Sequence, residues 1–155
     1  MRIIGIDPGT AITGFGIIEK YNNKIKLLDY GCIRTPAGLD MSMRLNQIAE
    51  DLSTIIQKWS PKHASIEKLY FKKNIKTGIS VAQSRGVILH ILAKKGVPQT
   101  ELSPLEIKSQ ICGNGNADKK MIQKMVKIIL GLNTTPQPDD AADAIAAALC
   151  LAHTK

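Results

Sequence analysis

Aromatic side chains are scarce in this sequence: two Phe, three Tyr and one Trp in 155 residues, 4% of the chain. Any aromatic beside a charged cluster therefore draws individual notice. Cysteine is nearly as rare. Cys32, Cys112 and Cys150 stand apart with no Cys-x-x-Cys between them, and their odd number argues against a disulfide framework. His63, His90 and His153 are equally scattered, so no zinc site is expected. Both absences suit a reducing cytoplasm. Long apolar runs are missing too. Ile3-Ile4 is interrupted by Gly5 and Asp7, and the longest run, Ala144 to Ala152, falls well short of the ~20 residues of a membrane span. No secretion or membrane signal is expected. No internal repeat or low-complexity tract occurs. Gly113 to Lys120 lacks the Gly-Lys-Ser/Thr ending of a phosphate-binding loop.

What is present describes an ordered protein. Hydrophobic residues make up 44% and charged residues 22%, and residues 1–155 are long enough for one domain with its own core. The formal net charge of +8 is unevenly spread. Residues 1–71 carry nine Lys/Arg and seven Asp/Glu, residues 72–127 eleven and three, and residues 128–155 one and three. A basic block beside an acidic cluster suits a polyanion held near a metal site, although a solvated lysine-rich surface would give the same count.

Local patterning predicts a mixed α/β chain. Residues 2–7, 12–19 and 24–33 read as three strands joined by Pro8-Gly9 and Tyr21-Asn22-Asn23, an antiparallel meander. Leu45, Ile48, Ala49, Leu52, Ile55, Ile56 and Trp59 recur at helical spacing over 42–59, and Ser60-Pro61 ends that helix. Residues 64–70 read as a strand able to pair parallel to the first. A helix over 77–95 stops at Gly96, and 97–102 form a further short strand. Ser103-Pro104-Leu105-Glu106 is a capping box that starts a helix to about Cys112. A lysine-rich helix over 118–130 follows a glycine-containing loop. An alanine-rich helix from Asp139 to about Ala152 closes the order βββαβαβααα, one sheet between helices.

Four acidic residues fall where acid is structurally inconvenient. Asp7 ends a strand expected to be central, and Glu67 sits within the strand over 64–70. Asp140 and Asp143 share one face of the last helix among alanines, which let a helix approach a sheet closely. Buried carboxylates are costly unless paired or bound to metal. Hard oxygen ligands suit Mg²⁺, and two such ions about 4 Å apart hold an attacking water and a leaving oxygen in line. Each residue also has a plainer reading: an Asx turn at Asp7, helix caps at Asp139 and Asp140, a dipole partner at Asp143, an edge strand at Glu67. No lysine–arginine pair neighbours these acids in sequence.

Several motifs in one order give the chain a resemblance. Gly-Ile-Asp-Pro-Gly-Thr (5–10), Thr-Gly-Phe-Gly (13–16), Gly-Cys-Ile-Arg-Thr (31–35), Ile-Glu-Lys-Leu-Tyr-Phe-Lys-Lys-Asn (66–74), Gln-Ser-Arg-Gly-Val (83–87) and Asp-Ala-Ala-Asp-Ala-Ile-Ala (140–146) resemble the RuvC-type Holliday junction resolvases over nearly the whole chain. The resemblance implies an RNase H-like α/β fold with a five-stranded mixed sheet flanked by helices. It implies a homodimer that nicks two opposing strands of a four-way DNA junction, leaving 5′-phosphate and 3′-hydroxyl ends. Carried over by position, the catalytic and metal-binding carboxylates are Asp7, Glu67, Asp140 and Asp143, with two Mg²⁺ ions for which Mn²⁺ can substitute. The DNA-contacting residues are Lys108, Lys119 and its neighbour Lys120, and one of Tyr70 and Phe71 stacks on junction bases. RuvA- and RuvB-like branch-migration proteins are the implied partners. Asp139, immediately before the final motif, departs from the family pattern.

Base–aromatic stacking is worth ~1–3 kcal/mol, and lysines after a glycine loop can neutralise phosphates. Two rival readings stay open from sequence alone. One is a nucleotide-binding protein of the actin and sugar-kinase type, which Asp-x-Gly-Thr at 7–10 resembles but which needs two such domains. The other is a non-catalytic junction binder or a relative acting on another nucleic acid.

Overall fold

The computed structural model describes residues 1–69 and 75–154. The elements are β1 (Arg2–Asp7), β2 (Ile12–Tyr21), β3 (Lys24–Arg34), α1 (Met41–Trp59), β4 (His63–Glu67), α2 (Ile75–Lys94), β5 (Gln99–Leu102), α3 (Pro104–Cys112), α4 (Lys119–Ile129) and α5 (Asp139–Thr154). Their order is the one expected. The five strands form one mixed sheet in the order β3-β2-β1-β4-β5. β1, β2 and β3 are an antiparallel meander, and β4 and β5 run parallel to β1. Asn22 adopts a left-handed φ of 53°, which asparagine tolerates and which suits the tight β2–β3 turn.

Strand alternation sorts the side chains into two layers. Ile4, Ile6, Ile17, Ile33, Ala64 and Ile66 face α1 and α2 in one core. Ile3, Ile18 and Leu102 face α3, α4 and α5 in the other. α5 is the most enclosed helix: every residue from Ala144 to Ala152 is buried. This accounts for its near-continuous apolar sequence, since a helix lying on a sheet under two further helices has no solvent face. Among the described residues no helix is long and apolar enough to cross a membrane.

Most boundaries differ from the sequence reading by a residue or two, and those of β4 and β5 bear on the site. β4 ends at Glu67 rather than running to residue 70, so Glu67 terminates its strand instead of sitting inside it. It is not on an edge strand, because β4 lies between β1 and β5. β5 begins at Gln99, as the left-handed Gly96 and the ring of Pro98 defer regular pairing.

Candidate active site

β1 and β4 are adjacent and parallel, so Asp7 and Glu67 emerge side by side at their carboxyl ends, the edge of an open α/β sheet where ligands bind. Side-chain parity then fixes the face. Gly5 pairs with Ser65 and lies against α5, and Asp7 and Glu67 are each two residues further on. Both acids therefore share the α5 face with the start of that helix, where Asp140 and Asp143 sit.

The close approach of α5 comes from glycines in the sheet as much as from alanines in the helix. A Cβ on Gly14 would overlap the Asp140 carbonyl oxygen, and one on Gly5 would overlap that of Ala144. The helix backbone is thus in contact with the sheet. The turn after Asp7 is held from the opposite layer. Thr10 Oγ1 donates to the Ser80 carbonyl at 2.7 Å and lies 2.8 Å from Ser84 Oγ, both on α2. Thr35 Oγ1 donates to the Thr10 carbonyl at 2.6 Å and accepts from Arg44 Nε at 2.8 Å.

The electrostatics show four acids acting on one another. Burial is the largest influence on Asp7, followed by the charges of Glu67, Asp143 and Asp140, with Lys119 opposing; together they push its carboxyl up to about 8. Burial and then Asp143 raise Glu67 against Lys119 and Lys108. Asp143 is raised by burial despite its bond to Lys119. Glu67 borders two cavities that meet beside it. One, of about 170 Å³, is lined by Lys108, Lys119 and Asp143 together with Pro104, Ile107 and Ile122. The other, of about 280 Å³, is lined by Asp7, Lys68, Arg85 and Pro104.

Lys68 follows Glu67 in sequence, and the fold brings further positive charge from α4. Lys119 Nζ lies 3.0 Å from Asp143 and 3.6 Å from Asp139. Asp139 also accepts from Gln123 Nε2 at 2.9 Å, so it links α4 to α5 rather than merely capping its own helix. Lys119 and Lys120 begin α4, where the helix dipole disfavours cations. Helix stability therefore does not account for two lysines there. Lys108 lines the first cavity from α3. Lys120 is exposed and borders neither cavity. Tyr70 and Phe71 lie outside the described residues.

Among the described residues no three His, Cys, Asp or Glu side chains are already drawn into a metal cage. Like charges without a counter-ion stay apart, and Lys119 occupies Asp143. The donor set nonetheless fits a hard divalent cation: it is all carboxylate oxygen. Burial first, and then the three neighbouring acids, hold the proton on Asp7 to about pH 8, and a divalent cation beside it would offset both. Arg85 and Lys68 are the site residues that sequence reasoning passed over. Arg85 stands within the Gln-Ser-Arg-Gly-Val motif, but nothing in one dimension brings α2 to Asp7.

Comparison with known proteins gives the family and the fold. The family model for "Crossover junction endodeoxyribonuclease RuvC" matches residues 3–151. Proteins of that name from Syntrophomonas wolfei and Chloroflexus aurantiacus are 47% and 48% identical over 154 residues, covering 99% of this chain and 90% and 94% of theirs. The structure of Thermus thermophilus RuvC in complex with Holliday junction substrate superposes with a TM-score of 0.92 at 29% identity, covering 98% of this chain and 93% of that one. The fold is accordingly RNase H-like, and the chain belongs to the RuvC family of crossover junction endodeoxyribonucleases, which are metal-dependent nucleases.

Proposed function

We propose that the chain resolves four-way DNA junctions by hydrolysing one phosphodiester in each of two opposing strands, with Asp7, Glu67, Asp140 and Asp143 as its catalytic and metal-binding residues. The convergence of these four acids from β1, β4 and α5 on one sheet edge, with Asp7 short of counter-charge, is the observation that carries the reading. Two Mg²⁺ ions held by these carboxylates, with Mn²⁺ able to substitute, would polarise the phosphate and activate a water.

The chain's own part is to hold the reacting strand. Lys108 and Lys119 flank the carboxylates and offset the charge that builds on phosphate during attack. Lys119 is held by Asp143 without substrate, and Asp139 offers it a second acceptor when Asp143 is engaged elsewhere. Water adds to phosphorus, the bond to the 3′ oxygen breaks, and that oxygen takes a proton. The products are a 3′-hydroxyl and a 5′-phosphate with no covalent enzyme intermediate. Lys120 contributes a phosphate contact, and Tyr70 or Phe71 stacks on an opened base. Two nicks related by symmetry call for two sites, hence a homodimer. RuvA- and RuvB-like proteins supply the junction in cytoplasmic recombination and repair.

The test incubates the protein with labelled four-way junction, duplex and RNA–DNA hybrid, with and without Mg²⁺. Paired nicks in the junction alone, only with Mg²⁺, are expected. Asp7→Asn should bind the junction as wild type does while cutting at least ~100-fold more slowly. Preferred cleavage of the hybrid, or cleavage in chelator, would overturn the reading.

A further inference from the structure

The cleft at the sheet edge is bounded by helices of both layers, and the helix-borne Lys108 and Lys119 belong to only one. Lys108 and Lys119 come from α3 and α4, which pack on the Ile3 face of the sheet. Arg85 comes from α2, which packs on the Ile4 face, and it borders the cavity of Asp7 and Glu67.

Three features set Arg85 apart from an ordinary surface cation. Its side chain is only 22% exposed. Its backbone is fixed by its neighbour: Ser84 is fully buried and clamped to Thr10, three residues after Asp7, so Arg85 is held in register with the catalytic turn. Its guanidinium is half used. Nη2 meets Glu101 of β5 at 2.6 Å, while the buried Nε has no hydrogen-bond partner. A buried donor left unpaired is costly, and a guanidinium is suited to a carboxylate on one edge and a phosphate oxygen on another. The charges that bear on Glu67 from the far side are those of Lys119 and Lys108. Arg85 lines the cavity of Asp7 and Glu67 from the other layer.

We propose that Arg85 is a phosphate-binding residue for the cleaved strand, gripping a phosphate that flanks the scissile one. The strand would cross the sheet edge from the α3–α4 layer to the α2 layer, with cations on both sides of the carboxylates. Glu101 holds the guanidinium while no DNA is bound, and a swing of the side chain brings its unpaired edge to the anion. This rests on the nuclease reading above and adds a subsite to it.

Metal-free binding of a fluorescent four-way junction, titrated across salt concentration, tests it with wild type, Arg85→Gln and Glu101→Gln. Both substitutions break the same ion pair and should lower thermal stability alike, so the difference between them isolates the phosphate. Arg85→Gln should weaken binding roughly tenfold and flatten the log–log salt dependence by about 0.9, one phosphate's share. Glu101→Gln should keep the wild-type slope and bind at least as tightly. A wild-type slope in Arg85→Gln, or equal losses in both variants, would overturn the proposal and leave Arg85 as a tie between α2 and β5. Failure of the wild type to bind any junction would instead remove the nuclease reading, and Arg85's role with it.

Discussion

Asp7 is the residue at which structure and chemistry conflict most. Free of metal, it keeps its proton to about pH 8, whereas an unfolded chain releases it near the ordinary 3.8. Between those values the folded state binds more protons than the unfolded one, so this group lowers stability progressively as pH rises through the window. Asp7→Asn removes that cost. In chelator the variant should be more stable than wild type by a few kcal/mol near pH ~8, and the gain should vanish below pH ~4. Urea denaturation at both pH values checks it; equal stability throughout would mean that burial and the neighbouring acids do not hold the proton on Asp7. The acid itself was legible in sequence, as a charge ending an apolar strand. Its perturbation was not, because it depends first on burial in the folded protein and then on three acids up to 136 residues further along the chain. Asp139 shows the opposite gap. A helix-cap reading explained it locally, yet its partners, Lys119 and Gln123, belong to another helix.

At the scale of elements, the site depends on how closely α5 lies on the sheet. Gly14→Ala would set a methyl group on the Asp140 carbonyl and lift the helix start that carries two of the four carboxylates. Overpacking of this kind costs ~1–3 kcal/mol, and cleavage should fall more steeply than the melting temperature. Gly86, exposed in α2 with no neighbour near a built Cβ, is the control. Gly86→Ala should gain ~0.5–1 kcal/mol in thermal unfolding. A second tie joins β3 to α1. Asp29 accepts from Lys58 Nζ at 3.1 Å and from Trp59 Nε1 at 2.9 Å. Burial works against its charged form, but these bonds prevail and hold its carboxyl below the usual value. Stability from this pair is present above the ordinary carboxylate range and is lost as pH falls through the lowered one. Trp59 is the single tryptophan, so an acid titration of its fluorescence should follow Asp29, and Asp29→Asn should abolish that step. Helices and strands were readable here because their periods are local. Boundaries such as the end of β4 were not, since a strand stops where its partners do.

For the whole molecule, the net charge of +8 and the basic block over 72–127 predict junction affinity that falls steeply with salt, as counter-ions are released. At the proposed site a divalent cation would bind only the folded carboxylate set, so Mg²⁺ should raise the melting temperature of wild type and much less that of Asp7→Asn. Equal shifts would place the cation elsewhere. By itself the sequence determined the element order and singled out four acids in structurally inconvenient places, because hydrophobic period, turn residues and isolated charges are properties of short segments. Only tertiary structure decided which cations meet those acids. Lys119 reaching Asp143, and α2 delivering Arg85 to the cavity of Asp7, depend on parallel pairing of β4 with β1 and on a helix in contact with the sheet, relations between segments far apart in the chain.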